Sequence, residues 1–375
     1  MPVDTRLLAA TPAELASALD ALGDPPVVGV DVERADAHRY WRRPALIQLG
    51  ADGVVVLADP LATLDMSVLD AYLSQRTVVL HAMDNDIAPL ASVGIAVGDI
   101  EDTAVAAAML GLPTGLETLL ADILDVHFDG DKQRMQRADW ARRPLTDDML
   151  AYAAADVADL PRLWRTLHRR LADEGRLEWY AQERDALRDQ PPIEERRAWT
   201  RMRGVGRLDG RAQTRARALW QTRETLARDT DTAPNRIVSD RVLLDLAAEP
   251  VDDERQLRRA GVRRQSARRF GSQLLRALRD ATPAPATRPH PRRFDDRERA
   301  LVDDLRARRS VVAQDVGIDP GVLCPNRALE QAVARRAQTP AELRDALELR
   351  PWQWSLLAAT FTEALTDADT GTPTT

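Results

Sequence analysis

VVGVDVE, residues 27–33, is a valine-rich run broken by two acids. β-Branched segments of this kind favour strands, and residues i and i+2 of a strand project from one face. Asp31 and Glu33 therefore point together. An ionised carboxylate inside an apolar element is costly to bury unless a cation or hydrogen-bond donors accompany it. Two of them on one strand face point to a metal site.

Two further stretches repeat the pattern. TVVLHAMDNDIAPL, residues 77–90, is an apolar strand running into a helical stretch that Asp86 opens, at the same end of the sheet as the first pair. LAYAAADVADL, residues 150–160, reads as helix from its alanine and leucine content, and positions i and i+4 share a helical face, so Tyr152 and Asp156 also point together. Oxygen donors from three elements suit hard divalent ions such as Mg²⁺ or Mn²⁺. Neighbouring acids have blander readings: Asp84 as a solvated or capping residue, Asp102 as the N-cap of TAVAAAMLG, and Asp159 as a surface ion-pair partner, with a ligand role left open for Asp159. His81, at the end of an apolar strand, reads as a packed, hydrogen-bonded residue.

Working outward, residues 1 to about 180 alternate strands (VVGVDV, ALIQLG, GVVVLA, TVVLHA) with helical stretches (PAELASALDAL, LDAYLSQ, GLETLLADIL and the 147–173 run). This is an α/β domain, and the short connections between its first three strands predict antiparallel pairing. Beyond residue 190 the strands stop. An Arg-rich opening, EERRAWTRMRGVGRLDGR, leads into two blocks, 239–278 and 324–365, with the same order of helices and nearly the same spacing. Between them ATPAPATRPHPRR, whose prolines cannot continue a helix, reads as a linker. The expected division is 1–190, 191–282, a linker at 283–293, and 294–375.

The 375 residues exceed a typical single domain. One cysteine, Cys324, excludes an internal disulfide framework and any CxxC metal site. No signal peptide and no apolar run of membrane-spanning length is evident, so the expected location is a reducing, cytoplasmic one with no membrane partner. No protein partner is implied. The net charge of −7 hides an asymmetry: residues 1–190 carry 18 Lys+Arg against 32 Asp+Glu, and residues 191–375 carry 34 against 27. A basic second half fits a polyanionic partner. Its densest cluster includes Arg258, Arg259, Arg263 and Arg264, read either as phosphate contacts or as a solvated face paired with Asp252, Asp253 and Glu254. The loop ERADAHRYWRR, residues 33–43, offers arginines and aromatics suited to holding phosphates and stacking bases, and reads equally well as an exposed Arg-rich loop.

Taken in order, VDVE, ALIQL, LHAMDNDI, EDTAVAAAMLG, QRADWARRPL and YAAADVADL resemble the motifs of the DEDDy branch of the DnaQ-like 3′–5′ exonucleases, the ribonuclease D family in particular, over residues 25 to about 165. The resemblance implies a ribonuclease H-like domain with a mixed sheet flanked by helices. It places the family's metal ligands on Asp31, Glu33, Asp86 and Asp156, with Tyr152 orienting the attacking water. Two divalent cations, Mg²⁺ or Mn²⁺, about 3.5–4 Å apart would clamp the attacking and leaving oxygens. The family's lysine before the DW pair is shifted by one here, at Lys132.

The two helical blocks resemble the HRDC module, an all-α domain that follows the nuclease domain in this family. The implied activity is 3′–5′ exoribonucleolysis releasing nucleoside 5′-monophosphates, with transfer RNA precursors as the implied substrate. Two alternatives stay open: a 3′–5′ DNA exonuclease, because the metal site does not itself read the sugar, and an inactive RNA-binding adaptor.

Overall fold

The computed structural model describes residues 5–35, 38–62, 64–127, 132–190, 198–282 and 294–370, without the side chains of residues 132 and 368–370. The 283–293 linker and residues 191–197, which include the first four residues of the Arg-rich opening, thus lie outside the described residues.

Six strands form one sheet: β1 (Thr5–Ala9), β2 (Val27–Arg34), β3 (Pro44–Ala51), β4 (Val54–Ala58), β5 (Thr77–Leu80) and β6 (Asp99–Asp102), in the order β1-β4-β3-β2-β5-β6. The expected antiparallel meander β2–β3–β4 is present, while β1, β5 and β6 add parallel neighbours. The sheet is therefore mixed. Its two edge strands are the ones the sequence pattern did not show. TRLLA lacks clean alternation, and DIED is a four-residue strand with three acids, a composition that suits an unpaired edge.

Strand alternation divides the side chains between two cores. Val28, Val30, Val32, Ile47 and Leu49 face the helices Pro12–Leu22, Met66–Leu73 and Ile87–Ser92. The opposite face carries Gly29, Asp31 and Glu33 on β2 and Leu46, Gln48 and Gly50 on β3, and is closed by the helices Asp147–Ala158 and Leu160–Asp173. The 147–173 run is thus two helices. The first starts at Thr146, whose side chain accepts from the Met149 amide at 3.3 Å, with Asp147 and Asp148 favourable in its first turn. It sits unusually close to the sheet. A Cβ on Gly29 would lie 2.8 Å from the Val157 carbonyl oxygen, and one on Gly50 would lie 2.6 Å from it. Glycine at both positions lets the helix descend far enough for its side chains to meet those of β2.

Beyond the sheet domain the described residues are helical. One group spans Gly210–Asp229, Pro234–Ile237, Asp240–Ala248, Glu254–Arg259 and Arg264–Arg279 around its own core of Leu219, Leu243, Leu246, Leu257 and Leu274. A second group, from Asp296–Val316 to Pro351–Thr370, shares a continuous apolar cluster with the helical side of the sheet domain. Arg176 fastens that junction, donating to the carbonyls of Met109 at 2.7 Å and Val316 at 2.6 Å. Beside it the Trp179 and Trp352 rings stack at 5.0 Å. No helix among the described residues is long and apolar enough to cross a membrane.

Gly50→Ala should force the Tyr152-bearing helix off the sheet. Overpacking of this kind costs typically about 1–3 kcal/mol, so urea denaturation should show a lowered midpoint. A midpoint equal to the parent's would mean that the helix has slack the geometry does not show.

Candidate active site

Two of the three sequence elements meet closely, and the third lies beside them. Asp31 and Glu33 leave β2 on the face covered by the helix Asp147–Ala158, and carboxylate oxygens of Asp31, Glu33 and Asp156 all lie within 4.8 Å of one another. Asp86, at the junction of the short helical turn Met83–Asn85 and the helix Ile87–Ser92, is buried close enough to Asp31 to feel its charge. Tyr152 stands one turn before Asp156, on the same helical face and close enough for the Asp156 charge to act on its phenol.

Proton affinities record the crowding. Burial pushes the Asp31 carboxyl up to about 6, with the Val32 amide and the Arg34 guanidinium opposing the rise. Glu33 goes further, to about 9, from burial and then from the charges of Asp31 and Asp156. Asp86 is held well above the carboxylate range by burial and then by Asp31, and burial followed by the Asp156 and Glu33 charges raises the Tyr152 phenol. Arg34, which follows Glu33 in β2, is the cation that tempers the first three. Without a bound cation such a cluster holds protons. With one, the same oxygens form an all-carboxylate donor set of the kind hard divalent ions take.

Gln48 strengthens that fit. It pairs directly with Asp31 across β2 and β3, so both side chains leave the same face of the sheet. It is fully buried, and among the described residues neither its amide nitrogen nor its carbonyl oxygen has a hydrogen-bond partner. Buried amides are ordinarily satisfied, and one left open beside a ligand cluster marks a place built for polar company. The sequence reading passed over it because ALIQL reads as an apolar strand. The sole hint was one amide in a run buried on both faces.

Other residues hold the ligands in place. Asp102 is the N-cap of the helix Thr103–Met109, as expected, accepting from Ala104 at 2.7 Å and Val105 at 3.1 Å. It also accepts from the Met83 amide at 2.7 Å and the Ala82 amide at 3.3 Å. Those bonds secure a turn in which Ala82, a residue with a Cβ, takes φ 62° just before Asp86. His81 is hydrogen-bonded to Thr103 at 2.9 Å and only partly buried. Asp84 lies in the same short turn, half-buried and outside the cluster. Asp159 corrects the sequence reading. It does pair with Arg162, at 3.6 Å, but it is buried between the two helices of the 147–173 run rather than on the surface. In the ADWARRPL segment Trp140 packs at 6.2 Å from the Tyr152 ring, and Arg143 forks onto Asp59 at 2.6 and 2.7 Å, locking the segment to the sheet. The Lys132 side chain lies outside the described residues.

Comparison with known proteins gives the family. The 3′–5′ exonuclease domain family matches residues 8–172, and the HRDC domain family matches twice, at 212–278 and 298–365. A ribonuclease D of Granulibacter bethesdensis is 32% identical over 337 residues, covering 85% of this chain and 83% of the relative. The chain belongs to the ribonuclease D family. Another ribonuclease D, from Xanthomonas oryzae pv. oryzae, is 26% identical over 93% of this chain and 95% of its own length. The crystal structure of Escherichia coli RNase D shares the fold over 98% of this chain and 99% of that one, with a TM-score of 0.76 at 24% identity. As a ribonuclease D family member with this domain set, the chain is a 3′–5′ exoribonuclease.

The raised carboxyls make the site's stability depend on pH and metal together. Glu33 binds its proton more tightly folded than unfolded, so it favours the metal-free fold below its ordinary 4.5 and loses that contribution as pH rises through about 9. Divalent cations compete for the same oxygens. The melting temperature in Mg²⁺ minus that in chelator should therefore widen as pH is raised from about 5 to about 9. A difference that is flat across this range would separate the cluster from cation binding.

Proposed function

We propose that Asp31, Glu33, Asp86 and Asp156 hold a pair of divalent cations, Mg²⁺ or Mn²⁺, and that the chain trims RNA from the 3′ end to nucleoside 5′-monophosphates. The observation that carries the reading is the convergence of three half-buried carboxylates within 4.8 Å, with Asp86 nearby, between β2 and the helix Asp147–Ala158. When bound, such a pair neutralises charge developing on the scissile phosphate and makes water a competent nucleophile near neutral pH. The chain's own residues do the rest. Tyr152, one turn from Asp156 and packed beside Trp140, keeps its proton at any physiological pH and so serves as a fixed donor and acceptor that orients the attacking water. The helix Asp147–Ala158, lowered onto Gly29 and Gly50, sets that hydroxyl against the ligands.

Transfer RNA precursors are the proposed substrate and the cytoplasm the proposed location, both resting on family membership. Among the described residues, the exposed Arg258, Arg259, Arg263 and Arg264 make no ion pair with Asp252, Asp253 or Glu254, and Asp253 is instead the N-cap of the helix Glu254–Arg259. That arrangement favours phosphate contacts over a self-neutralised face. The working domain division is 1–190, 191–282 and 294–375.

Replacing Asp31, Glu33, Asp86 or Asp156 singly by alanine should lower kcat by at least about a hundredfold, as losing a key electrostatic group does, while leaving metal-free stability equal or higher because like charges part. Near-parental rates in any two variants would undo the ligand assignment. Tyr152→Phe should cost on the order of 10² in kcat with cation affinity preserved, and an unchanged kcat would reduce Tyr152 to a packing role. Matched 3′-labelled RNA and DNA, each with and without divalent ions, measure the activity itself: faster metal-dependent loss of the RNA label is expected, and a DNA preference would favour the deoxyribonuclease reading. Reversing all four arginines should flatten the salt dependence of RNA binding by about 0.7 for each phosphate no longer neutralised; an unaltered slope would make them a solvated face.

A further inference from the structure

A cleft of about 830 Å³ lies between the loop that follows β2 and the first helical group. Arg34 at the end of β2 and Arg39, Tyr40 and Arg42 line one side of it, and Arg201 and Trp220 line the helical side, where Glu224 and Asp240 also line it but are paired with Arg223. Two of its arginines lie close to the carboxylate cluster. Arg34 follows Glu33 in the chain and tempers the Asp31 and Glu33 carboxyls, and Arg42 reaches across to the carbonyl of Asn85, the neighbour of Asp86, at 3.3 Å.

Residues 38–41 and 43 of this loop are held by the helical group. Asp231, at φ 45° just past the helix Gly210–Asp229, accepts from the Tyr40 amide at 3.2 Å and the Trp41 amide at 3.1 Å. It also pairs with Arg39 at 2.8 Å and Arg43 at 3.3 Å. The His38 carbonyl accepts from the Ala233 amide at 3.0 Å, and the Tyr40 side chain is buried in the helical group's own core. Trp41 is left 42% exposed, its ring edge-on to Tyr40 at 5.0 Å. A large indole held open by bonds to its own backbone, beside a cleft lined with arginines, is poorly explained as packing.

Resting on the exoribonuclease reading above, we propose that this cleft is the path by which the last nucleotides of a single-stranded RNA 3′ end reach the metal centre. Arg34, Arg42 and Arg201 track its phosphates, and Trp41 stacks a base at the rim. The occupant is single-stranded because only unpaired bases offer a face to an exposed indole. The first helical group then does more than add affinity: it shapes the loop that delivers substrate.

The test uses the full chain with Arg201→Ala, Trp41→Ala and Trp41→Phe, and a 5′-fluorescein single-stranded oligoribonucleotide. Binding is measured in chelator across a salt series, and kcat and KM are measured in Mg²⁺. Trp41→Ala should weaken binding roughly five- to a hundredfold, the range for one base stacked on an aromatic ring, and Trp41→Phe should recover most of it. Arg201→Ala should lower the salt slope by about 0.7. In turnover both losses should appear in KM rather than kcat. Binding and KM within twofold of the parent for Arg201→Ala and Trp41→Ala, or a Trp41→Phe variant no better than Trp41→Ala, would overturn the cleft assignment. Because the binding arm runs without metal, it reports on the cleft alone. Failure of the parent chain to hydrolyse RNA in any divalent ion would instead sink the reading beneath it.

Discussion

Asp31 and Glu33 leave β2 toward the helix that carries Asp156, and the repulsion this creates has to be resisted by packing elsewhere in the domain. Gly29 and Gly50 admit the helix, and the Arg143 fork onto Asp59 fixes the segment that backs Tyr152. Asp102 secures the turn before Asp86 with two backbone bonds. Each device costs some freedom or tolerance: two positions that accept no side chain, a strained alanine, and a buried amide at Gln48 with no partner among the described residues. Local rules broken together around one cluster are the pattern expected where function outweighs stability. Cations held as proposed would relieve the central repulsion, so that folding and metal binding would draw on the same carboxylates.

The helical groups attach to this domain in different ways. The second is welded to it by a continuous apolar cluster, the stacked Trp179 and Trp352 rings and the Arg176 bonds. The first grips a loop through polar contacts centred on Asp231. An apolar junction favours rigidity, whereas a charged clamp on a loop next to the ligands ties substrate delivery to the helical group. The positive excess of residues 191–375 follows the same logic, supplying attraction for phosphates that the acidic catalytic half would repel.

Much of this was legible in the sequence because the chemistry obeys short periods. A two-residue step on VVGVDVE and a four-residue step on LAYAAADVADL place Asp31 with Glu33 and Tyr152 with Asp156, and short connections betray the antiparallel β2–β3–β4 meander. Resemblance to a known family supplied what periodicity cannot: that these elements meet at one spot. The missing parts were non-local or faint. Strand β6 is nearly all acid and exists by pairing with β5. Asp159 looks like a surface residue until the second helix covers it. Gln48 is indistinguishable from a tolerated polar residue until its register with Asp31 is known. Tyr40 belongs to the core of a domain about 200 residues away, a contact no local pattern announces.

Crystals soaked in Mn²⁺ and measured for anomalous scattering address the two-cation centre most directly. Two peaks about 3.5–4 Å apart, each bounded by oxygens drawn from Asp31, Glu33, Asp86 and Asp156, are the expected result. No peak among these four carboxylates at saturating Mn²⁺, or peaks confined to other surface acids, would contradict the account.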